Sequence, residues 1–304
     1  MKLGSGTHVY EIDERWTKLP EHVKFGYTHG VVVDSRDRVY VHNRSKDGVI
    51  VFDRDGKFLS SWGEEFAAGA HGMFLSREAG AEYLYFADPV RHIVVKTSMD
   101  GRTLWTLGVP DLPQVYSDAS KYKPTDVAIA PNGDVYVCDG YGESWIHQYD
   151  KDAKWIRSWG GKGSEPGKLN SPHGIWVDTR TTPSVYVADR SNNRIQIFTL
   201  DGQHIGFVTA ELRLPCCFYE FENELYIPDL HSRVTVLDKN NQVILHLGDE
   251  PGAWKKAGWP NVEAQERKVG KFISPHALCV DSHGDIYVVE WISDGRLTKL
   301  VRCR

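Results

Sequence analysis

A three-strand pattern recurs six times along the 304 residues, and a periodicity of this kind constrains the fold more than any single motif. The plainest copy spans 171–208. There Gly174-Ile175-Trp176-Val177-Asp178, Val185-Tyr186-Val187-Ala188-Asp189 and Arg194-Ile195-Gln196-Ile197-Phe198 alternate as strands do, and Asp201-Gly202 follows as a turn. Other copies run from His29-Gly30 to Trp62-Gly63, from His71 to Leu107-Gly108 and from Pro124-Thr125-Asp126 to Trp159-Gly160. The fifth runs from Pro215-Cys216 to Leu247-Gly248 and the sixth from His276 to Leu300-Val301. A fourth strand is carried by segments such as Phe58-Leu59-Ser60-Ser61-Trp62. Six four-stranded antiparallel units predict an all-β, six-bladed β-propeller occupying 1–304 as one domain. The sixth unit lacks an outer strand. His8-Val9-Tyr10-Glu11-Ile12 is expected to supply it, closing the ring and removing an exposed sheet edge.

Nothing reads as a linker or as a long amphipathic helix, and Asp249 to Lys271 reads as a long loop between units five and six. The 36 basic and 41 acidic side chains are interspersed without a Lys/Arg stripe, which argues against a nucleic-acid partner. No apolar run approaches the ~20 residues needed to span a bilayer, and the first residues do not lead into a signal-peptide core, so a cytoplasmic location without membrane attachment is expected. The five cysteines show neither metal-type spacing nor a disulfide framework.

The repeat gives meaning to three histidines. His71, His173 and His276 stand 102 and 103 residues apart, each near the start of a unit, so a ring of blades would carry one imidazole on every second blade, aimed at the axis. Units three and five carry Thr125 and Cys216 at the matching position, which sets the three histidines apart from simple repeat inheritance. Unit one carries His29 at the same offset, as a fourth ligand, a supporting donor or repeat chemistry. Three imidazoles with an open coordination position suit a catalytic transition-metal ion. Asp88, Asp139, Asp189 and Asp229 end second strands and read as repeat framework. His92, His147, His231 and His246 lie off the inner-strand offset and read as surface or inter-strand residues.

The repeat resembles the NHL type, and across the six units the chain is similar to the peptidyl-α-hydroxyglycine α-amidating lyases. Those are six-bladed propellers that cleave a carbinolamide N–C bond to release an amide and glyoxylate. The resemblance rests on Pro124-Thr125-Asp126-Val127-Ala128, then Asp139-Gly140-Tyr141, Trp159-Gly160, Pro172-His173, Ala188-Asp189-Arg190 and Asn193-Arg194-Ile195-Gln196, in that order and near that spacing. It implies that His71, His173 and His276 bind zinc or another divalent transition metal, with Tyr141 and Arg190 beside it as catalytic groups. Arg44, in Val41-His42-Asn43-Arg44, matches a second family arginine. Two departures stand out. Ala277 replaces the acidic residue that helps the family hold a structural calcium, which counts against calcium here, and Gly142 replaces a family cysteine, which removes its disulfide pattern.

The residues carry a chemistry of their own. A metal with an open site acts as a Lewis acid toward a hydroxyl or carbonyl oxygen. A phenol such as that of Tyr141 exchanges protons at neutral pH only with a cation nearby, and the arginine fork suits a carboxylate. The leading expectation is a metal-dependent lyase acting on a small α-hydroxylated amide or acid, either a small molecule or a short peptide and anionic in character. A hydrolase or lactonase using the same metal is a variant. A non-enzymatic NHL interaction scaffold is the other class, and the sequence leaves the oligomeric state open.

Overall fold

The computed structural model describes residues 1–209 and 211–303. It consists of six antiparallel sheets of four or five strands joined by loops and short 3-10 turns, and the fold is an all-β six-bladed propeller. The chain divides into two compact units, Met1–Ala68 with Phe218–Arg304, and Gly69–Cys217, each contributing three blades.

In the first unit, blade 1 is built from Thr28–Val33, Val39–Asn43, Val49–Phe52 and Phe58–Trp62, in that order from inner to outer edge. Blade 5 comprises Tyr219–Phe221, Glu224–Asp229, Arg233–Leu237 and Val243–Leu247. Blade 6 has three strands of its own, Pro275–Val280, Ile286–Glu290 and Arg296–Arg302. Its fourth strand is His8–Asp13, pairing antiparallel through Tyr10↔Arg302, Glu11↔Val301, Ile12↔Leu300 and Asp13↔Lys299, so the N-terminal closure expected from the short sixth unit is present. An unanticipated fifth strand, Lys2–Ser5, extends that sheet.

In the second unit, blade 2 comprises Met73–Glu78, Ala81–Asp88, Ile93–Ser98 and Thr103–Leu107. Blade 3 comprises Asp126–Ile129, Val135–Cys138, Trp145–Tyr149 and Trp155–Gly160. Blade 4 comprises Pro172–Asp178, Ser184–Asp189, Arg194–Phe198 and His204–Val208.

The burial pattern follows from blades packing face to face within each unit. Second strands such as Val39–Asn43 and Ser184–Asp189 are buried on both faces and rich in β-branched residues and tyrosine, whereas outer strands such as Phe58–Trp62 are half exposed. Blades 5 and 6 share a core of Tyr226, Val234, Leu278, Val288 and Leu300, into which Tyr10 of the closing strand inserts. The turns have a common device. An aspartate at the strand end accepts the amides two and four residues on, as Asp34 does from Arg36 and Arg38, Asp53 from Asp55 and Lys57, and Asp281 from His283 and Asp285. Gly56 completes one such turn at φ +79°, where a Cβ would lie 1.8 Å from the Trp16 carbonyl oxygen.

Candidate metal centre and its rim

A bulge at the start of the inner strands aims the histidines. In blade 4 the pairing jumps from Pro172↔Asp189 to Ile175↔Val187, in blade 6 from Pro275↔Glu290 to Ala277↔Val289, and in blade 1 from Thr28↔Asn43 to Gly30↔His42. The extra residue falls at His173, His276 and His29, turning each side chain out of the sheet alternation.

A second regularity fixes the rings. His71 Nδ1 lies 2.6 Å from the Thr125 carbonyl oxygen, His173 Nδ1 2.9 Å from that of Cys216, and His276 Nδ1 2.8 Å from that of His29. Each of the three rings is thus held through Nδ1 by a backbone carbonyl distant in sequence. A carbonyl only accepts, so Nδ1 carries the proton and Nε2 presents a lone pair, the arrangement that orients an imidazole for a metal. His29 breaks the pattern, since its Nδ1 turns to the carbonyl of Tyr27, just before its own strand, at 3.0 Å.

In the second unit His71 and His173 converge on Tyr141. Their ring centroids are 4.7 Å apart, and both Nε2 atoms lie 3.0 Å from the Tyr141 hydroxyl. Arg190 completes this cluster, with Nη1 donating to the same hydroxyl at a long 3.4 Å and its guanidinium 5.4 Å from the phenol centroid. Burial opposes the arginine's charge, but the Tyr141 phenol and the Cys216 thiol beside it raise its pKa above the ordinary value, so it is a fixed cation. Cys216 was not singled out by sequence as a donor. Its thiol lies within 4.8 Å of a His173 ring nitrogen, making a buried His/Cys cluster with the capacity to bind a metal.

The Tyr141 loop is held from beneath by Asp139. Its carboxylate accepts the Lys123 and Glu143 amides, both at 2.7 Å, and the Tyr116 hydroxyl at 2.7 Å, while Tyr141 N–H donates to the Lys123 carbonyl at 3.3 Å. The segment Lys123–Thr125 therefore supports Tyr141 through one carbonyl and His71 through another. Tyr116 comes from the loop before blade 3 and also meets His147 Nε2 at 2.7 Å, with His147 Nδ1 2.7 Å from Ser158 Oγ. Burial pushes Asp139 up to about 6 and His147 down to about 3. Asp189 in blade 4 is instead bonded by Arg194 and Gln196, which fits the framework role read from the repeat.

In the first unit His276 and His29 lie side by side, ring centroids 4.9 Å apart and ring nitrogens within 4.8 Å, both buried. Arg44 follows the second strand of blade 1, and its amide donates at 3.0 Å to the Tyr27 carbonyl that His29 also uses.

Comparison with known proteins agrees with this architecture. Residues 122–149, most of them in blade 3, match the NHL repeat. Human NHL repeat-containing protein 3 is 30 % identical over 209 residues, covering 65 % of this chain and 59 % of that protein, so the match spans less than two thirds of the relative. Peptidyl-alpha-hydroxyglycine alpha-amidating lyase 1 of Drosophila melanogaster is 31 % identical over 154 residues, 47 % of this chain and 27 % of that one. Among solved structures, a streptogramin B lyase superposes with a TM-score of 0.66 over 96 % of this chain and 97 % of its own, at 12 % identity, a likeness of fold alone. The chain is a six-bladed β-propeller carrying an NHL-repeat match at residues 122–149, with distant homology, at 30–31 % identity over part of its length, to human NHL repeat-containing protein 3 and to peptidyl-alpha-hydroxyglycine alpha-amidating lyase 1 of Drosophila melanogaster.

Proposed function

We propose that this propeller is a metal-dependent lyase that breaks the N–C bond of a small α-hydroxylated amide bearing a carboxylate, with His71, His173 and His276 holding one divalent ion, zinc in the first instance. The observation that carries the reading is the contact of two Nε2 atoms with one phenol. Both rings have Nδ1 committed to a carbonyl, so both turn an Nε2 lone pair toward the one Tyr141 hydroxyl. Two imidazole lone pairs directed at one point are a donor set that a shared divalent cation fits. His276, anchored through Nδ1 in the same way and set one further two-blade interval along the chain, supports its assignment as the third ligand.

A divalent ion there would supply Lewis acidity toward the substrate oxygen. The protein's own groups divide the remaining work. Arg190 takes the substrate carboxylate through its fork, and Arg44 is the second cation assigned to that task. The C=O bond forms as the substrate hydroxyl gives its proton to the Tyr141 oxygen, the electrons of the C–N bond leave with nitrogen, and the Tyr141 hydroxyl gives its own proton to that nitrogen, so the phenol is regenerated and the products are an amide and an α-oxo acid with no net proton change.

The test is release of glyoxylate and amide in equal amounts from an N-acyl-α-hydroxyglycine by metal-replete protein. Tyr141→Phe should lower turnover by ~10² to 10⁴ while metal content is unchanged. Absence of glyoxylate from metal-replete wild type, or full turnover by Tyr141→Phe, would overturn the reading.

A further inference from the structure

The same backbone position next to each bulged strand carries a different kind of side chain in different blades. In blade 4 the residue after Asp189, the pairing partner of Pro172, is Arg190, and its amide donates to the carbonyl of Ser171 at 3.3 Å. In blade 6 the residue after Glu290, the partner of Pro275, is Trp291, whose amide donates to the carbonyl of Ser274 at 2.9 Å. The two positions are equivalent in register and in hydrogen bonding. Trp291 therefore stands to His276 as Arg190 stands to His173, at the rim beside the ring. A cation in one place is replaced by an indole in the other.

Trp291 is not isolated. Within the first unit its ring lies 5.8 Å from Tyr27 and 6.2 Å from Trp259, and His231 stands 5.7 Å from Trp259 and stacks on Trp254 at 4.8 Å and 6°. All five rings are half buried. Tyr27 and Trp291 are tied through their backbones to the strand starts that carry His29 and His276, since the Tyr27 carbonyl lies 3.0 Å from His29 Nδ1 and Ser274 Oγ donates to the Trp291 carbonyl at 2.8 Å. Trp254 and Trp259 come from the long loop between blades 5 and 6. That loop is ordered by a small core of Val262, Ile273 and Ile292 against which Trp259 packs, and Trp259 Nε1 donates to the Ile273 carbonyl at 3.0 Å. The Tyr27 hydroxyl likewise has a partner, accepting from Asn261 Nδ2 at 3.0 Å.

We infer that the aromatic row of Tyr27, Trp291, Trp259, Trp254 and His231 is a binding subsite for an uncharged aromatic or broad apolar acyl group on the substrate. The row makes His276 the junction between the reacting end of the substrate and an apolar tail. Indole and phenol faces give large contact area at little conformational cost and favour another ring, whereas a charged group would lose its hydration against them. This inference takes the choice of a small N-acylated carboxylate from the proposed function, and its occupant is the acyl portion.

The probes are N-benzoylglycine and N-acetylglycine, which lack the α-hydroxyl and are not cleaved, titrated calorimetrically into metal-loaded protein. Wild type should bind the benzoyl compound about tenfold or more tightly than the acetyl compound, as burial of a ring against aromatic walls implies. Trp291→Ala should reduce that ratio to below ~3 while leaving acetyl binding within ~2-fold. Trp291→Leu, which keeps bulk and fold, should give an intermediate ratio, and a thermal melt of each variant identifies any that fails to fold. Equal binding of the two probes by wild type, binding of neither, or an unchanged ratio in folded Trp291→Ala would overturn the subsite. A benzoyl preference lost in Trp291→Ala, in a protein that releases no glyoxylate, would leave the subsite standing and overturn the lyase reading alone.

Discussion

Replacing Tyr10 with alanine tests the closure of blade 6 at its most buried point. Tyr10 lies on the N-terminal strand yet is only 1 % exposed, seated among Tyr226, Leu278 and Leu300 of blades 5 and 6 and hydrogen bonded to the Tyr226 hydroxyl. Removing a large buried aromatic costs ~3 to 5 kcal/mol through lost transfer energy and the residual cavity. For a chain of this length the unfolding entropy is about 0.6 kcal/mol per degree, so the expected fall in Tm is ~5 to 8 °C. Circular dichroism melting of Tyr10→Ala beside Glu11→Ala, an exposed neighbour on the same strand, measures it, and Glu11→Ala should melt with wild type. Deleting residues 1–14 should lower Tm by at least as much, because it also leaves the Arg296–Arg302 edge unpaired. If Tyr10→Ala melts within a degree of wild type, the N-terminal strand does not close the blade in solution.

Other perturbations follow from single contacts. At Gly174 an added Cβ would lie 2.3 Å from the Cys216 carbonyl oxygen, the acceptor that fixes His173, so Gly174→Ala should destabilise by ~1 to 3 kcal/mol and weaken metal binding ~10- to 100-fold, read by denaturant melts and competition with a chelator. Arg190→Ala should raise the substrate KM about 10- to 100-fold with a smaller change in kcat, as loss of a charge-assisted hydrogen bond predicts in steady-state kinetics. Burial lowers His42 from 6.5 to about 4, so the unfolded chain binds its proton first as pH falls. The stability it contributes is complete above pH 6.5 and lost toward pH 4, about 2 kcal/mol of it between pH 7 and pH 5. Urea midpoints of His42→Gln at the two pH values should show that much less acid sensitivity than wild type.

The propeller was legible because its determinants are local. Alternating strands, Asp-Gly turns and aromatic residues recur at fixed offsets, and the shortened sixth unit left one missing strand for His8–Asp13 to fill. The placement of the three histidines on alternate blades was readable for the same reason, since one imidazole on every second blade is a statement about spacing. Their anchoring was not, because the acceptors at Thr125, Cys216 and His29 are backbone carbonyls, which any residue supplies. Tyr116 and Cys216 were also missed. Tyr116 reaches Asp139 from a loop 23 residues away, and Cys216, one of five cysteines without metal-type spacing, meets His173 only in the fold. The tryptophans at 254 and 259 lie in the stretch with the weakest repeat signal, where only the folded path of the loop shows which rings meet.

The proposal stands or falls on one ion bound by three histidines. Protein purified without added metal, dialysed against trace zinc and analysed by inductively coupled plasma mass spectrometry, should carry about one zinc per chain, with X-ray absorption placing imidazole nitrogens at ~2.0 to 2.1 Å. His71→Ala, His173→Ala and His276→Ala, each shown to be folded, should each lose that zinc. Metal-free wild type under these conditions, or stoichiometric zinc retained in any one of the three variants, would contradict the account.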